Sequence, residues 1–342
     1  MEAQLVEKIP TGAQWQYEPK WDGFRCLVFR DGDEVELQSK AGQPLHRYFP
    51  ELVEAVRALP AVRFVLDGEI VIPKGETLSF DDLLQRIHPA ESRVRLLAET
   101  SPAWFIAFDL LVEPSGDLLT ALPLESRRPR LEAFFRGVPA GAPLRLSPAT
   151  RELSLARQWL AGVGGSLDGI VAKRADLPYL SGERRGMQKI KAIRSAECVV
   201  GGFRYGSGSK VVGSLLLGLY DDAGLLHHVG FTSGLRSAEK KELTARLEAL
   251  VQPPGFTGRA PGGPSRWSRG RSQEWQPLKP ELVVEVTYDH FTGGRFRHGT
   301  SLLRWRPDKP PRECTLDQVV TGTSGTLRLL EGSGSDALRR AA

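Results

Sequence analysis

Cysteine is scarce: Cys26, Cys198 and Cys314 are the only three, they lie far apart, and no CxxC spacing occurs. This excludes a disulfide framework and a zinc cluster of the usual spacing and fits a reducing compartment. Long hydrophobic runs are missing too. Nowhere do about eighteen apolar residues follow one another, and Met1 to Pro10 has no apolar core of a signal peptide. A soluble, intracellular, cytoplasmic chain without a membrane partner is expected. Neither sign of charge dominates: 46 Lys and Arg stand against 41 Asp and Glu, for a net charge of +5. That is compatible with a polyanionic partner but does not require one. A P-loop is also lacking. Gly206 to Lys210 is glycine-rich, but no GxxxxGK spacing exists, so a flexible turn is expected there. With 342 residues and about 150 per domain, two domains are expected.

Glu18 to Arg25 (EPKWDGFR) is the most informative stretch present. It sets Lys20 in an apolar, turn-forming context beside Asp22 and Arg25. Asp22-Gly23 is a tight-turn signal, and Phe24 to Phe29 reads as a strand, so Lys20 falls where strand meets turn. A lysine amine, with an ordinary pKa of about 10.4, is protonated at neutral pH. Nucleophilic attack therefore requires nearby cations or desolvation, and Arg25 is the first such cation.

Further along, Val35 to Gln38 is expected to pair with the strand after Lys20 and to lead into a polar turn, Ser39 to Gly42. Leu52, Val53, Val56 and Leu59 have helical spacing behind Pro50. Phe64 to Ile72 is an apolar strand carrying Glu69, a carboxylate whose unpaired burial would be costly. Ser79 and Asp82 have the spacing of a helix N-cap. Trp104 to Val112 reads as a central strand holding Phe108 and Asp109, and helices are expected over Leu124 to Arg136 and Leu153 to Leu160. Leu167 to Lys173 is a strand bearing Asp168. Alternation then places Lys189 and Lys191 on one strand face, where two ammonium groups favour an anion between them.

Together these motifs resemble those of the covalent nucleotidyltransferases, and most closely the small stand-alone bacterial ATP-dependent DNA ligases of the C type. The nucleophile motif is similar to Lys20 to Arg25, followed by the turn at Ser39 to Gly42, Asp67 to Glu69, Phe108-Asp109, Asp168 to Lys173, Lys189 to Lys191, and a closing motif at Arg304 to Lys309. The resemblance implies an α+β fold: a nucleotidyltransferase (adenylation) domain of antiparallel sheets and flanking helices over residues 1–193, an OB-fold β-barrel over 194–330, and a loose tail over 331–342. It implies that Lys20 attacks the α-phosphate of ATP, forming lysyl-AMP, and that AMP then passes to the 5′-phosphate of nicked double-stranded DNA before the 3′-hydroxyl seals the strand.

In the same resemblance, Glu18 accepts from the adenine amino group and Phe108 stacks on the base. Arg25 and Glu69 hold the ribose and order the site, Lys40 belongs to the anion-facing turn, and Lys189 and Lys191 neutralise the α-phosphate. Mg2+ (or Mn2+) is the implied cofactor beside ATP, with Asp168 and Glu69 as candidate ligands. Arg306 and Lys309 orient the pyrophosphate, with a hinge near Lys191 to Ser195. The chain departs from the family pattern at Lys40, where arginine is usual, at Asp168, where glutamate is usual, and at Met187, where many relatives have tryptophan. An RNA ligase or capping-type nucleotidyltransferase is the alternative.

The second domain reads as short strands, glycine turns and one helix, as an OB-fold would. Pro253 to Gln276 holds Arg259, Arg266, Arg269 and Arg271 against one acid, Glu274. It is either a linker or a basic arm laid on DNA phosphates. A monomer is expected, with any DNA-repair proteins acting in trans.

Overall fold

The structure is a computed structural model that describes residues 1–162, 167–262, 274–319 and 325–331. The chain divides into two compact units, Met1–Ala192 with Thr323–Ala342, and Ile193–Gly322. The first contains two sheets. Strands β1 (Gln4–Leu5), β2 (Trp15–Trp21), β3 (Phe24–Asp31) and β4 (Glu34–Ser39) are followed by helix α1 (Pro50–Arg57) and β5 (Arg63–Val71). A short ribbon of β6 (Pro73–Lys74) and β7 (Thr77–Leu78) leads to α2 (Phe80–Arg86), α3 (Glu91–Thr100), β8 (Trp104–Val112) and α4 (Leu124–Arg136). Then come β9 (Leu144–Leu146), α5 (Leu153–Gly162), β10 (Leu167–Arg174) and β11 (Met187–Lys191).

One sheet runs β4-β3-β5-β8-β9 and the other β1-β11-β10-β2. The expected helix starts hold for local reasons. Pro50 opens α1, whose Leu52, Val53 and Val56 are buried, and the Ser79 hydroxyl accepts from the Asp82 amide at 3.2 Å, satisfying a donor that a helix start leaves open. Trp104–Val112 is internal to its sheet, between β5 and β9.

Asp22-Gly23 makes no hairpin. The strand before it, β2, pairs with β10, whereas β3 after it pairs with β4 and β5. The chain therefore turns a corner from one sheet into the other. Gly23 is required by close approach, because a Cβ there would lie 2.2 Å from the Ile70 carbonyl oxygen. Lys20 thus sits within a paired strand opposite Gly169, at the junction of two sheets.

The second unit contains β12 (Arg194–Tyr205), β13 (Val212–Tyr220), β14 (Leu226–Thr232), α6 (Lys240–Glu248), β15 (Gln276–Pro277), β16 (Val283–Tyr288), β17 (Phe291–Thr292), β18 (Arg295–Phe296) and β19 (Ser301–Trp305). Its main sheet is ordered β14-β13-β12-β16-β19, with β15 also on β12, around a core that includes Val199, Leu215, Leu217 and Val284.

The expected boundary at residue 330 differs from this division. The last described segment, which ends in α7 (Arg328–Glu331), groups with the first unit, where Leu327 and Leu330 pack with Trp21, Val71, Ile106 and Leu167. The Leu327 amide donates to the Glu76 carbonyl at 3.2 Å. Two leucines three residues apart bury apolar surface there, which explains the return. Residues 332–342 of the expected tail lie outside the described residues.

Candidate active site

A cleft of about 280 Å³ opens between the two sheets of the first unit. Its walls bring together most of the expected nucleotide residues: Glu18 and Lys20 from β2, Arg25 from β3, Glu69 from β5, Phe108 from β8 and Lys189 from β11, with Lys40 at the rim. The strand register accounts for this convergence, since β10 lies between β2 and β11 in one sheet while β5 lies between β3 and β8 in the other.

The Lys20 ammonium is in ion-pair contact with Asp168, whose other carboxylate oxygen is 3.4 Å from the Lys191 ammonium. Local backbone geometry creates this contact. The β10–β2 register shifts between Leu167 and Gly169, and such a bulge re-aims a side chain. Gly169 has φ +137°, and a Cβ there would lie 1.9 Å from the Ile190 carbonyl oxygen, so only glycine fits beside Asp168. Lys189 faces the cleft, and its pKa is lowered by burial and by the neighbouring Lys20 and Lys191. Three ammonium groups and one carboxylate form a region prepared for a phosphate.

At the other end of the cleft, each carboxyl oxygen of Glu18 accepts one hydrogen bond, which leaves acceptor capacity on both. Gln16 Nε2 donates to its Oε1 at 2.9 Å and Lys173 Nζ to its Oε2 at 2.7 Å. Lys173 is itself buried and lies 4.5 Å from the centroid of the Phe108 ring. Lys173 ends the Asp168 to Lys173 strand motif, and its place two residues from Val171 puts both on one strand face. Val171 and Lys173 both line the cleft.

Arg25 donates to Asp67 through Nε (3.1 Å) and Nη2 (2.7 Å), and the Tyr179 hydroxyl donates to the same carboxylate at 2.8 Å. This fork, together with a bond from Arg25 to the Met1 carbonyl, fixes the guanidinium 5.7 Å from the Phe108 ring centroid. Tyr179 was not foreseen, because nothing local in the sequence marks its reach to Asp67. Asp109, expected beside Phe108, points away from the cleft into a buried pair with Arg127, 2.8 Å on each side of the fork.

Glu69 is pushed up to about 8 by burial, against the pull of Lys20 and Arg25. Lys40 pairs with Glu2 at 3.0 Å, and Glu2 also reaches Arg184 at 3.4 Å. Neither Glu2 nor Arg184, both of which line the cleft, belongs to a motif that sequence reasoning singled out.

A family model described as "ATP dependent DNA ligase domain" matches residues 2–191, and "ATP dependent DNA ligase C terminal region" matches 208–309. The chain belongs to the ATP-dependent DNA ligase family. The ligase is 45% identical to "DNA ligase C" of Mycobacterium tuberculosis over 335 residues, covering 93% of this chain and 92% of that protein. It is equally 45% identical over 335 residues to "DNA ligase C2" of Mycolicibacterium smegmatis, covering 93% of each. A solved structure described as "DNA binding with a minimal scaffold: Structure-function analysis of Lig E DNA ligases" shares the fold, with a TM-score of 0.54 at 17% identity, covering 90% of this chain and 100% of that one.

Elsewhere in the ligase, Arg306 and Lys309 belong to the second unit. Arg306 contacts Glu197 and is 2.8 Å from Asp308, while Lys309 is 3.4 Å from Glu197 and 2.8 Å from Glu313. Both are tied to acids of their own unit. Arg259 is bonded into the fold, since its guanidinium donates to the Gly293 carbonyl at 3.1 Å and to that of Gly294. The expected DNA contacts Arg266, Arg269 and Arg271 lie outside the described residues. No described helix of the ligase is long and apolar enough to cross a membrane.

Proposed function

We propose that this chain, acting as a cytoplasmic monomer, seals nicks in duplex DNA with Lys20 as the covalent carrier of AMP. The contact of Lys20 with Asp168, where Lys20 lines a cleft together with Glu18, Phe108 and Lys189, is the observation that carries the reading. In the first step the unprotonated Lys20 amine attacks the α-phosphorus of ATP. A P–N bond forms as the P–O bond to pyrophosphate breaks, and the proton that the newly bonded nitrogen sheds passes to solvent. Lys189 and Lys191 receive the negative charge of the α-phosphate.

Glu18, oriented by Lys173 and Gln16, offers a carboxyl edge to the exocyclic amine of adenine, with Phe108 as the stacking surface. Arg25, immobilised by Asp67 and Tyr179, packs near that ring and positions the nucleoside. The 5′-phosphate of the nick then takes AMP from Lys20, and the 3′-hydroxyl displaces AMP to close the strand.

A divalent cation fits the donor set. Asp168, in contact with Lys20, and Glu69, which lines the same cleft, are hard oxygen donors. This suits magnesium, which is commonly held by one or two carboxylates together with substrate phosphate and water. When bound, such an ion supplies charge stabilisation at the phosphate oxygens.

The second unit is read as an OB-fold barrel. Its strand order leaves β14 and β19 at opposite edges, and a parallel bridge from Thr232 to Thr300, next to β19, links those edges. Arg306 and Lys309 are read as exchanging their acidic partners for pyrophosphate during the first step.

Incubating the protein with α-labelled ATP tests the core of this reading. Covalent AMP is expected on the parent chain and none on Lys20→Ala, which should nonetheless seal a pre-adenylated DNA nick. Persistent label on the variant rejects Lys20. Nicks in RNA and DNA duplexes, offered side by side, discriminate against the RNA-ligase alternative.

A further inference from the structure

The last described residues of the chain have no part in the reaction above, yet they complete the packing around its nucleophile strand. Leu327 and Leu330 are buried in one cluster with Trp21 and Leu167, from the sheet that carries Lys20, and with Val71 and Ile106, from the other sheet of the first unit. Half-buried Leu329 packs against this cluster and also against the neighbouring one of Trp15, Tyr17 and Trp159. The segment is fastened at the β6–β7 ribbon, where the Leu327 amide donates to the Glu76 carbonyl at 3.2 Å and Arg328 Nη2 donates to Glu76 Oε1 at 2.8 Å.

Trp21 and Leu167 are the chain neighbours of the two groups in contact at the site, Lys20 and Asp168. The Trp21 side chain is buried in the cluster, and its Nε1 donates to Ser147 Oγ at 2.9 Å, which fixes the residue next to Lys20. Leu167 stands opposite Trp21 and Gly169 opposite Lys20, so Asp168 is the extra residue of the bulge between them. Its backbone is pinned on one side by Gly169, where only glycine fits, and on the other by Leu167, which is 1% exposed. A close-packed interior passes a loss of volume on to its lining, and a displacement of about 1 Å at reacting groups can cost about 10²-fold in rate.

We propose, resting on the ligase reading of this site, that Leu327 and Leu330 are positioning residues for lysyl-AMP formation. By filling the junction of the two sheets they hold Trp21 and Leu167 in place, and through them the alignment of Lys20 with Asp168. The segment from Gly325 to Glu331 is thus a working part of the adenylation site.

Single-turnover labelling of the full chain with α-labelled ATP, over a range of ATP concentrations and at a temperature where circular dichroism shows each variant folded, provides the test. In the double variant Leu327→Ala, Leu330→Ala the rate at saturating ATP should fall roughly 10²-fold. Its KM for ATP should hold, because Glu18, Lys173 and Phe108 at the adenine end of the cleft lie outside the cluster. Sealing of a pre-adenylated nick, in which Lys20 is not the attacking group, should fall far less. Leu327→Met with Leu330→Met conserves volume and should label like the parent.

If the double alanine variant does not fold, Leu330→Ala alone decides, with a smaller loss of the same kind. In that background Arg328→Glu should deepen the loss by repelling Glu76, and Glu76→Arg added to it should restore the rate. Parent-like labelling in the folded alanine variants would overturn the proposal, as would a raised KM without a loss of rate, an equal loss in nick sealing, or methionine variants as slow as the alanine ones. A parent chain that takes no label from ATP would instead refute the ligase reading itself.

Discussion

Replacing Glu69 with glutamine should remove a pH-dependent penalty from the folded protein. Burial lifts its folded pKa from an ordinary 4.5 to about 8, so between these values the native state holds a proton that the unfolded chain has released. Stability depends on pH through that difference in bound protons. The term is fully favourable below the unfolded pKa and is lost as pH rises through the folded one, at about 1.36 kcal/mol per pH unit. Across the whole interval the loss approaches about 5 kcal/mol. This is a ceiling, because Glu69 keeps partial exposure and solvent screens its charge.

Glu69→Gln mimics the protonated acid and does not titrate. Urea unfolding of both proteins in EDTA, repeated from pH 5.5 to 7.5, should therefore show the variant gaining up to about 2.7 kcal/mol on the parent over that range. Parallel stability curves for parent and variant would refute the argument, since they would mean that Glu69 has the same proton affinity folded and unfolded.

Asp168→Asn should slow self-adenylation, and raised magnesium should partly restore it; full activity in the variant would make Asp168 a structural residue only. Arg306→Ala and Lys309→Ala should slow self-adenylation by roughly 10²-fold while largely sparing the sealing of a pre-adenylated nick, and equal losses in the two assays would place both residues on DNA. Gly169→Ala, with a Cβ overlapping the Ile190 carbonyl oxygen in a left-handed backbone, should cost at least about 3 kcal/mol in thermal unfolding and abolish labelling of Lys20. A normal melting temperature would show that the bulge can relax.

What the sequence by itself determined was local and chemical. Pro50 and Ser79 marked helix starts because Pro50 lacks a donor that would be left open there and the Ser79 hydroxyl accepts from one that is. Lys20 could be singled out as the candidate nucleophile because residue types and their spacing are written along the chain, and Glu69, Phe108 and the Lys189 and Lys191 pair as its candidate neighbours for the same reason. Tertiary structure decided everything that depends on which strands become neighbours. Asp22-Gly23 has the composition of a hairpin turn, yet β2 and β3 pair into different sheets, since each finds its hydrogen bonds with a distant strand.

The same holds for the partners of charges. Lys173 meets Glu18 across 155 positions and Tyr179 meets Asp67 across 112; no periodicity encodes such pairs. They arise because a buried carboxylate or ammonium must be matched wherever the register brings a counter-charge or a hydrogen-bond donor. Leu327 and Leu330 return to the first unit for an analogous reason, since apolar side chains report that they will be buried but not against what. Arg259, legible as one positive charge in a basic run, became a structural donor once the fold set two glycine carbonyls in front of it.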